Sequence, residues 1–172
     1  MKTVIFMSIK NEPKIKNPII KAIREQLEHR ALWMYLLTDE ARKKGLSANE
    51  YAPDAIRRCG LYQGGELRKK AGGGSSLKGL KKTLFSKIAQ WVFEMDIREC
   101  DDDHLSIDFH YCPLVKAWQK QGCTDEEICR LCDHAMCGDR GIAESFDAVL
   151  DLPKTIGRGD DICEIRFRRP EK

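Results

Sequence analysis

The feature that most constrains this chain is a change of hydrophobic period in its second half. From residue 88 onward apolar and polar residues alternate. Trp91, Phe93, Met95 and Ile97 are interleaved with Gln90, Glu94, Asp96 and Arg98. After Asp101-Asp102-Asp103 a second alternating set follows in Leu105, Ile107, Phe109 and Tyr111. Period two is the pattern of a half-buried strand. A hairpin folded about Asp102 sets Ile97 opposite Ile107, Met95 opposite Phe109 and Phe93 opposite Tyr111, apolar against apolar throughout. The same register opposes Asp96 and Asp108 on the polar face, where solvation is the simplest way to relieve their repulsion.

Around this hairpin the period is helical. Ile19, Ile20, Ile23, Leu27, Ala31, Met34 and Leu37 predict an amphipathic helix over 17–44, stopped by Gly45. Ser47, with Glu50 three positions on, reads as a capping box opening a second helix to about Arg58. That helix closes near Cys59-Gly60, and Gly64-Gly65 marks a further break. Residues 71–76 form a glycine-rich connector to a short basic helix with Leu77, Leu80, Leu84 and Phe85 inward. After the hairpin, helices are predicted at 113–121 and 125–137, the latter capped by Thr124 and Glu127. Strands are predicted at 146–152 and 162–168. The fold class is α+β: N-terminal helices, then a ββααββ unit whose antiparallel sheet is covered by helices on one face. The 172 residues suit a single domain, mainly helical over 1–87 and sheet-plus-helices over 88–172.

Bulk composition narrows the function. A net charge of +3 is too small to argue for nucleic acid, and the lysines between Lys69 and Lys87 read as a solvated face. No apolar run approaches membrane-spanning length, and Met1 to Lys10 shows no signal-peptide pattern, so a cytoplasmic protein without membrane partners is expected. Eight cysteines in such a chain point to packing, ligation or catalysis rather than disulfides. Gly72-Gly73-Gly74 lacks P-loop spacing.

Three groups of residues can carry chemistry. The first is Cys112-Pro113, at the junction of the second hairpin strand and the next helix. Proline suits the first helical turn, which places Cys112 where free amides and the helix dipole favour a thiolate. His110 shares its strand parity and could serve as base, or could simply pair with Glu94 on the polar face. The second group is Cys129, Cys132, Asp133, His134 and Cys137. One helix cannot easily converge these on a tetrahedral ion, so no metal site is assigned. Cys132 belongs to an apolar stripe with Ile128, Leu131, Ala135 and Met136, and Asp133 beside it needs a partner. The third is Gly159-Asp160-Asp161-Ile162-Cys163-Glu164, where Cys163 shares a strand face with Ile165 and Phe167.

At these residues the chain resembles the L-2-amino-thiazoline-4-carboxylic acid hydrolase family. The resemblance rests on Glu28-His29-Arg30-Ala31-x-Trp33, Asp39-Glu40-Ala41 to Gly45-Leu46, Ala55-Ile56-Arg57-Arg58-Cys59-Gly60, Cys112-Pro113, Asp133-His134-Ala135-Met136 and the stretch Gly159 to Phe167. Relatives often carry cysteine where this chain has Arg130, and histidine where it has Leu61. The resemblance implies a hydrolase that opens the ring of a small cyclic isothiourea acid, 2-aminothiazoline-4-carboxylate, to give N-carbamoyl-cysteine. It carries over Cys112, Asp133, Asp161 and Cys163 as site candidates.

The mechanism expected from this is attack by the Cys112 thiolate on the ring carbon bonded to two nitrogens and sulfur. His110 or Asp133 moves the proton, Asp161 and Asp160 hold the amidinium end, and Arg130 or a nearby lysine holds the carboxylate. No cofactor is required; a metal-activated water is a variant of the same scheme. A small-molecule substrate is the expected partner, and self-association stays open. The rival reading is a non-catalytic protein enclosing a small ligand or cofactor.

Overall fold

A computed structural model describes residues 9–171. The leader-free reading of the first residues therefore falls mostly outside the described part. The first helix, α1, spans Pro18–Lys43. Asn17 caps it, its side chain accepting from the amides of Ile19 and Ile20 at 2.9 and 3.2 Å, and Pro18 occupies the first turn where it needs no donor. Gly45, at φ +80°, ends the run as expected.

The second helix, α2, departs from the sequence expectation. It runs unbroken over Ala48–Lys70, through Gly60, Gly64 and Gly65. The Ser47 side chain makes no cap hydrogen bond, so the predicted capping box is not formed. The glycines are explained by their neighbour. A Cβ on Gly60 would lie 1.9 Å from the carbonyl oxygen of Gly138, and one on Gly141 would lie 2.4 Å from that of Arg57. The missing side chains let two helix backbones touch, a packing role that outweighs the intrinsic cost of glycine in a helix.

Beyond the connector, α3 covers Leu77–Leu84. A short helix, α4, then spans Lys87–Phe93, where the alternating pattern predicts strand. The Ser86 hydroxyl caps it by accepting from the Ala89 amide, and Glu94, in the left-handed region at φ 53°, ends it. The buried Glu94 carboxylate takes the amides of Lys14 and Ile15, each at 2.7 Å, and the Arg24 guanidinium at 3.0 Å. That knot fixes the turn into the sheet.

The hairpin consists of β1 (Met95–Cys100) and β2 (His104–Phe109). Met95 pairs with Phe109, Asp96 with Asp108 and Ile97 with Ile107, the expected register, with a bulge between Ile97 and Glu99. Beyond the strands the Tyr111 amide still donates to the Phe93 carbonyl at 3.1 Å. Two helices follow: α5, Pro113–Lys120, and α6, Asp125–Ser145, the latter longer than predicted. Its Thr124–Glu127 capping box is formed. The strands β3 (Val149–Asp151) and β4 (Cys163–Arg168) complete an antiparallel sheet in the order β1-β2-β4-β3.

Leu105, Ile107, Ile165 and Phe167 face the helices and are buried, packed into one core with Trp118, Ile128, Ala143 and Phe146. Burial of such large side chains supplies most of the favourable energy. The Trp118 indole donates to the Ala31 carbonyl at 3.1 Å, which ties α5 to α1. Helix α1 packs mainly on α5, and α2 mainly on α6, so the two long helices meet each other sparsely. A cleft of about 280 Å³ lies near their joining turn, lined by Tyr35, Arg42, Asn49, Arg130 and His134 among others. No described helix is long and apolar enough to cross a membrane.

Candidate functional site

Two of the cysteines, Cys132 and Cys163, meet at the Ile156–Arg158 turn, and Cys112 packs against the same core. Cys112 is the N-cap residue of α5, Cys132 lies on the inner face of α6, and Cys163 begins β4 on the core side of the sheet. Their charges act on one another, although they are far apart in sequence. Cys163 and Cys132 are closed off. Cys163 is buried and its sulfur accepts the Ile156 amide at 3.2 Å. Cys132 is buried against the 3₁₀ turn Ile156–Arg158, where a Cβ on Gly157 would sit 2.7 Å from its sulfur. Cys112 is partly exposed as a residue, but its thiol is buried too.

The electrostatics separate them further. Burial pushes the Cys163 thiol up to about 12 and the Cys132 thiol well above its ordinary value. Burial also raises Cys112, but the Val115 and Leu114 amides at the helix start pull it back. The expected dipole effect exists, and it is outweighed. Cys112 is thus a thiol rather than a ready thiolate.

Two charged residues absent from the sequence candidates act on it electrostatically. Asp139, on α6, acts on both Cys112 and Cys163, and Arg30, on α1, acts on both Cys112 and Asp139. Burial pushes the Asp139 carboxyl up to about 6, against the pull of Arg30, its own backbone and Arg140. Among the described residues Asp139 and Arg30 make no ion pair within 4 Å, with each other or with any other group. The inner stripe of α6 carries the signal that could have found Asp139. Cys132 and Met136 continue at helical spacing to residue 139, an acid on a face otherwise turned inward.

The remaining candidates are placed elsewhere. The strand ends at Phe109, so the parity that joined His110 to Cys112 does not persist. The His110 ring meets Asp96 at 2.9 Å on the outer face of the sheet, not Glu94. Asp133 finds its partner in Arg158 at 2.8 Å, both half-exposed. Arg130 pairs outward with Glu126 at 2.7 Å and lines the α1–α2 cleft. Asp161 is exposed and makes no hydrogen bond or ion pair to a described residue. Asp160 accepts the Thr155 amide at 2.9 Å and so braces the loop that holds Cys163. His134 is buried, held below its ordinary pKa by that burial, and meets Asn49 at 2.8 Å.

The opposed carboxylates are not simply solvated. Asp108 is buried and takes Arg98 and Arg166, each at 2.6 Å. For metals, one group among the described residues has close enough ligand atoms: Glu99, Asp101 and His104, all exposed at the hairpin turn. Asp101 there is already engaged by the amides of Asp103 and His104.

Fold and site together describe an α+β protein with buried thiols and an unpaired acid, Asp139, on the helical side of its sheet. The model of the L-2-amino-thiazoline-4-carboxylic acid hydrolase family matches residues 24–167, and the chain belongs to that family. No curated protein matches it. Among solved structures, subunit 3 of a trafficking protein particle complex from Naegleria fowleri, covalently bound to palmitic acid, is similar at 18% identity. The likeness covers 84% of this chain and 95% of that one, with a TM-score of 0.53. At that identity it speaks for the fold.

Proposed function

We propose that this protein is a hydrolase that opens the ring of a small cyclic isothiourea acid of the 2-aminothiazoline-4-carboxylate type, with Cys112 as nucleophile. The family supports hydrolysis and the substrate class. The observation that carries the choice of residue is position: Cys112 is the N-cap residue of α5, where the Leu114 and Val115 amides favour its thiolate, whereas Cys132 and Cys163 are packed in the core against the Ile156–Arg158 turn. Attack by its sulfur on the ring carbon between nitrogen and sulfur makes a tetrahedral centre that expels the ring thiolate.

The test is turnover of 2-aminothiazoline-4-carboxylate, followed by mass spectrometry of N-carbamoyl-cysteine. Cys112→Ala and Cys112→Ser lower the rate by about a thousand-fold or more. Near-normal turnover in both rejects the nucleophile, and metal analysis then asks whether a metal-activated water acts instead. An intact-mass adduct on Cys112 of the purified protein, with no turnover of any thiazoline, would favour a ligand-holding protein.

A further inference from the structure

The cleft at the joining turn of α1 and α2 holds groups that the proposed chemistry leaves unused. None of Cys112, Cys132 and Cys163 lines it. Its wall includes His134 of α6, which is only 9% exposed. The His134 Nε2 meets the Asn49 Oδ1 at 2.8 Å, and its Nδ1 is buried with no hydrogen-bond partner among the described residues. An amide oxygen only accepts, so Nε2 carries the proton and Nδ1 is left as a bare acceptor. Burial, helped by Arg130, favours this neutral ring over its protonated form, against the pull of Asp133. A buried acceptor without a donor is costly, and a donor entering the cleft is placed to answer it.

The same hydrogen bond holds the imidazole against the first turn of α2. There the Ser47 side chain makes no cap hydrogen bond, so it leaves the first amides of the helix unanswered. Ser47, Ala48 and Asn49 all line the cleft, as do Arg42 and Arg130. Each guanidinium donates to one carboxylate, Arg42 to Asp39 and Arg130 to Glu126, and each has further N–H groups to give. The acids of the wall are already engaged. Asp39 takes Arg42 and Lys43 at 2.6 and 2.8 Å, and Glu127 belongs to the Thr124 capping box. Surplus donors and one surplus acceptor therefore border a space of about 280 Å³.

We infer that this cleft is a ligand site apart from Cys112, for a small carboxylate that carries an N–H donor a few bonds from its acid group. The carboxylate sits on the α2 amides and takes N–H groups of Arg42 and Arg130 by charge-assisted hydrogen bonds. The ligand's N–H donates to His134 Nδ1, and Leu46 and Leu131 give its carbon skeleton an apolar wall. N-acylated and N-carbamoylated amino acids have this chemistry. The site does not depend on the Cys112 reading and stands if that reading falls.

The experiment uses the full chain, labelled with nitrogen-15 at histidine, and N-carbamoylglycine as probe. The ring nitrogens of His134 are followed by NMR and assigned by elimination, with His29→Gln, His104→Gln and His110→Gln. The free protein is expected to show a bare Nδ1, and the probe to move that resonance saturably. Propionate, which lacks the N–H, binds several-fold more weakly and leaves Nδ1 bare. Methylurea, which lacks the carboxylate, does not saturate the site. Arg42→Met weakens the probe about ten-fold or more. Ser47→Asp gives the sharpest readout, because it caps α2 and fills the anion place with its own carboxylate. Probe affinity should fall about ten-fold or more while the melting temperature rises by about 2–4 °C. A cleft that binds nothing would gain the stability and have no affinity to lose. A protonated Nδ1 in the free protein, no saturable shift, or unchanged affinity in Ser47→Asp overturns the proposal. Titration of 2-aminothiazoline-4-carboxylate and N-carbamoyl-cysteine into Cys112→Ala then tells the source of the acid. Tighter binding than the probe links the cleft to the hydrolase reaction, weaker binding to an unrelated acid, and both support the site.

Discussion

The two faces of the sheet hold their charges in opposite ways. On the outer face Asp108 is buried between Arg98 and Arg166, Asp96 meets His110, and Arg166 reaches Glu164 at 3.5 Å. Most charges there are answered by another; among the described residues Glu99 takes only the Ser106 hydroxyl. On the helical side Asp139 makes no ion pair within 4 Å among the described residues, and burial dominates its carboxyl. The pKa directions record the difference. Burial pushes the Asp108 carboxyl up, but the hydrogen bonds of Arg166 and Arg98 win and it lies below its ordinary value. For Asp139 burial wins. A closed cluster stabilises the fold; an open one costs stability and leaves groups free to meet a ligand.

The largest effect should come from breaking the closed cluster. Asp108→Ala strands two guanidiniums, one of them largely shielded from water. A fully buried pair broken on one side loses roughly 3–5 kcal/mol; with Arg98 half in solvent, about 2–3 kcal/mol is expected. Urea unfolding at pH 7 measures it, and turnover per folded molecule should not change. The stabilising part of this acid is present above its unfolded-state pKa. It is lost as pH falls through the depressed folded value, so wild type and variant converge in acid.

The open cluster should respond with the other sign. Because the folded Asp139 carboxyl lies at about 6, above its unfolded value, the folded state holds its proton more tightly. Its contribution favours folding below the unfolded pKa and is lost as pH rises through about 6. Asparagine does not ionise, so Asp139→Asn should be the more stable protein at pH 8, by about 1–2 kcal/mol, with the gap closing near pH 4. A destabilised Asp139→Asn at pH 8 would mean that the carboxylate is structurally satisfied, and the contrast between the two faces would disappear.

Much of the fold was legible in residue spacing. The hairpin register follows from matching Met95, Ile97, Ile107 and Phe109, because a slip of one residue would turn every apolar side chain outward. The Thr124–Glu127 cap is a local signal and was readable. What failed was local pattern set against distant partners. Gly60 reads as a helix stop until Gly138, far along the chain, explains it as a point of backbone contact. Trp91 and Phe93 alternate like strand residues, yet the Ser86 cap and the buried Arg24–Glu94 pair hold them in a helix. In the site, Cys112 and Cys163 could be placed on the core side from helix-start chemistry and strand parity. Arg30 could not be placed, because its surroundings depend on how α1 lies over α5. Asp139 was within reach, since the apolar stripe of α6 leads straight to it.

His110 gives the smallest effect and the sharpest check on how the two faces were sorted. From the sequence it stands two positions before Cys112 and shares its parity, which makes it the natural base. In the fold the strand has ended between them, and the ring has gone to Asp96 on the outer side. It therefore belongs with the closed cluster, at its exposed rim, where a single ionic hydrogen bond contributes under about 1 kcal/mol. His110→Ala should unfold slightly earlier in urea and turn over substrate within about two-fold of wild type. A collapse in turnover with normal stability would show that the outer face reaches the thiol after all.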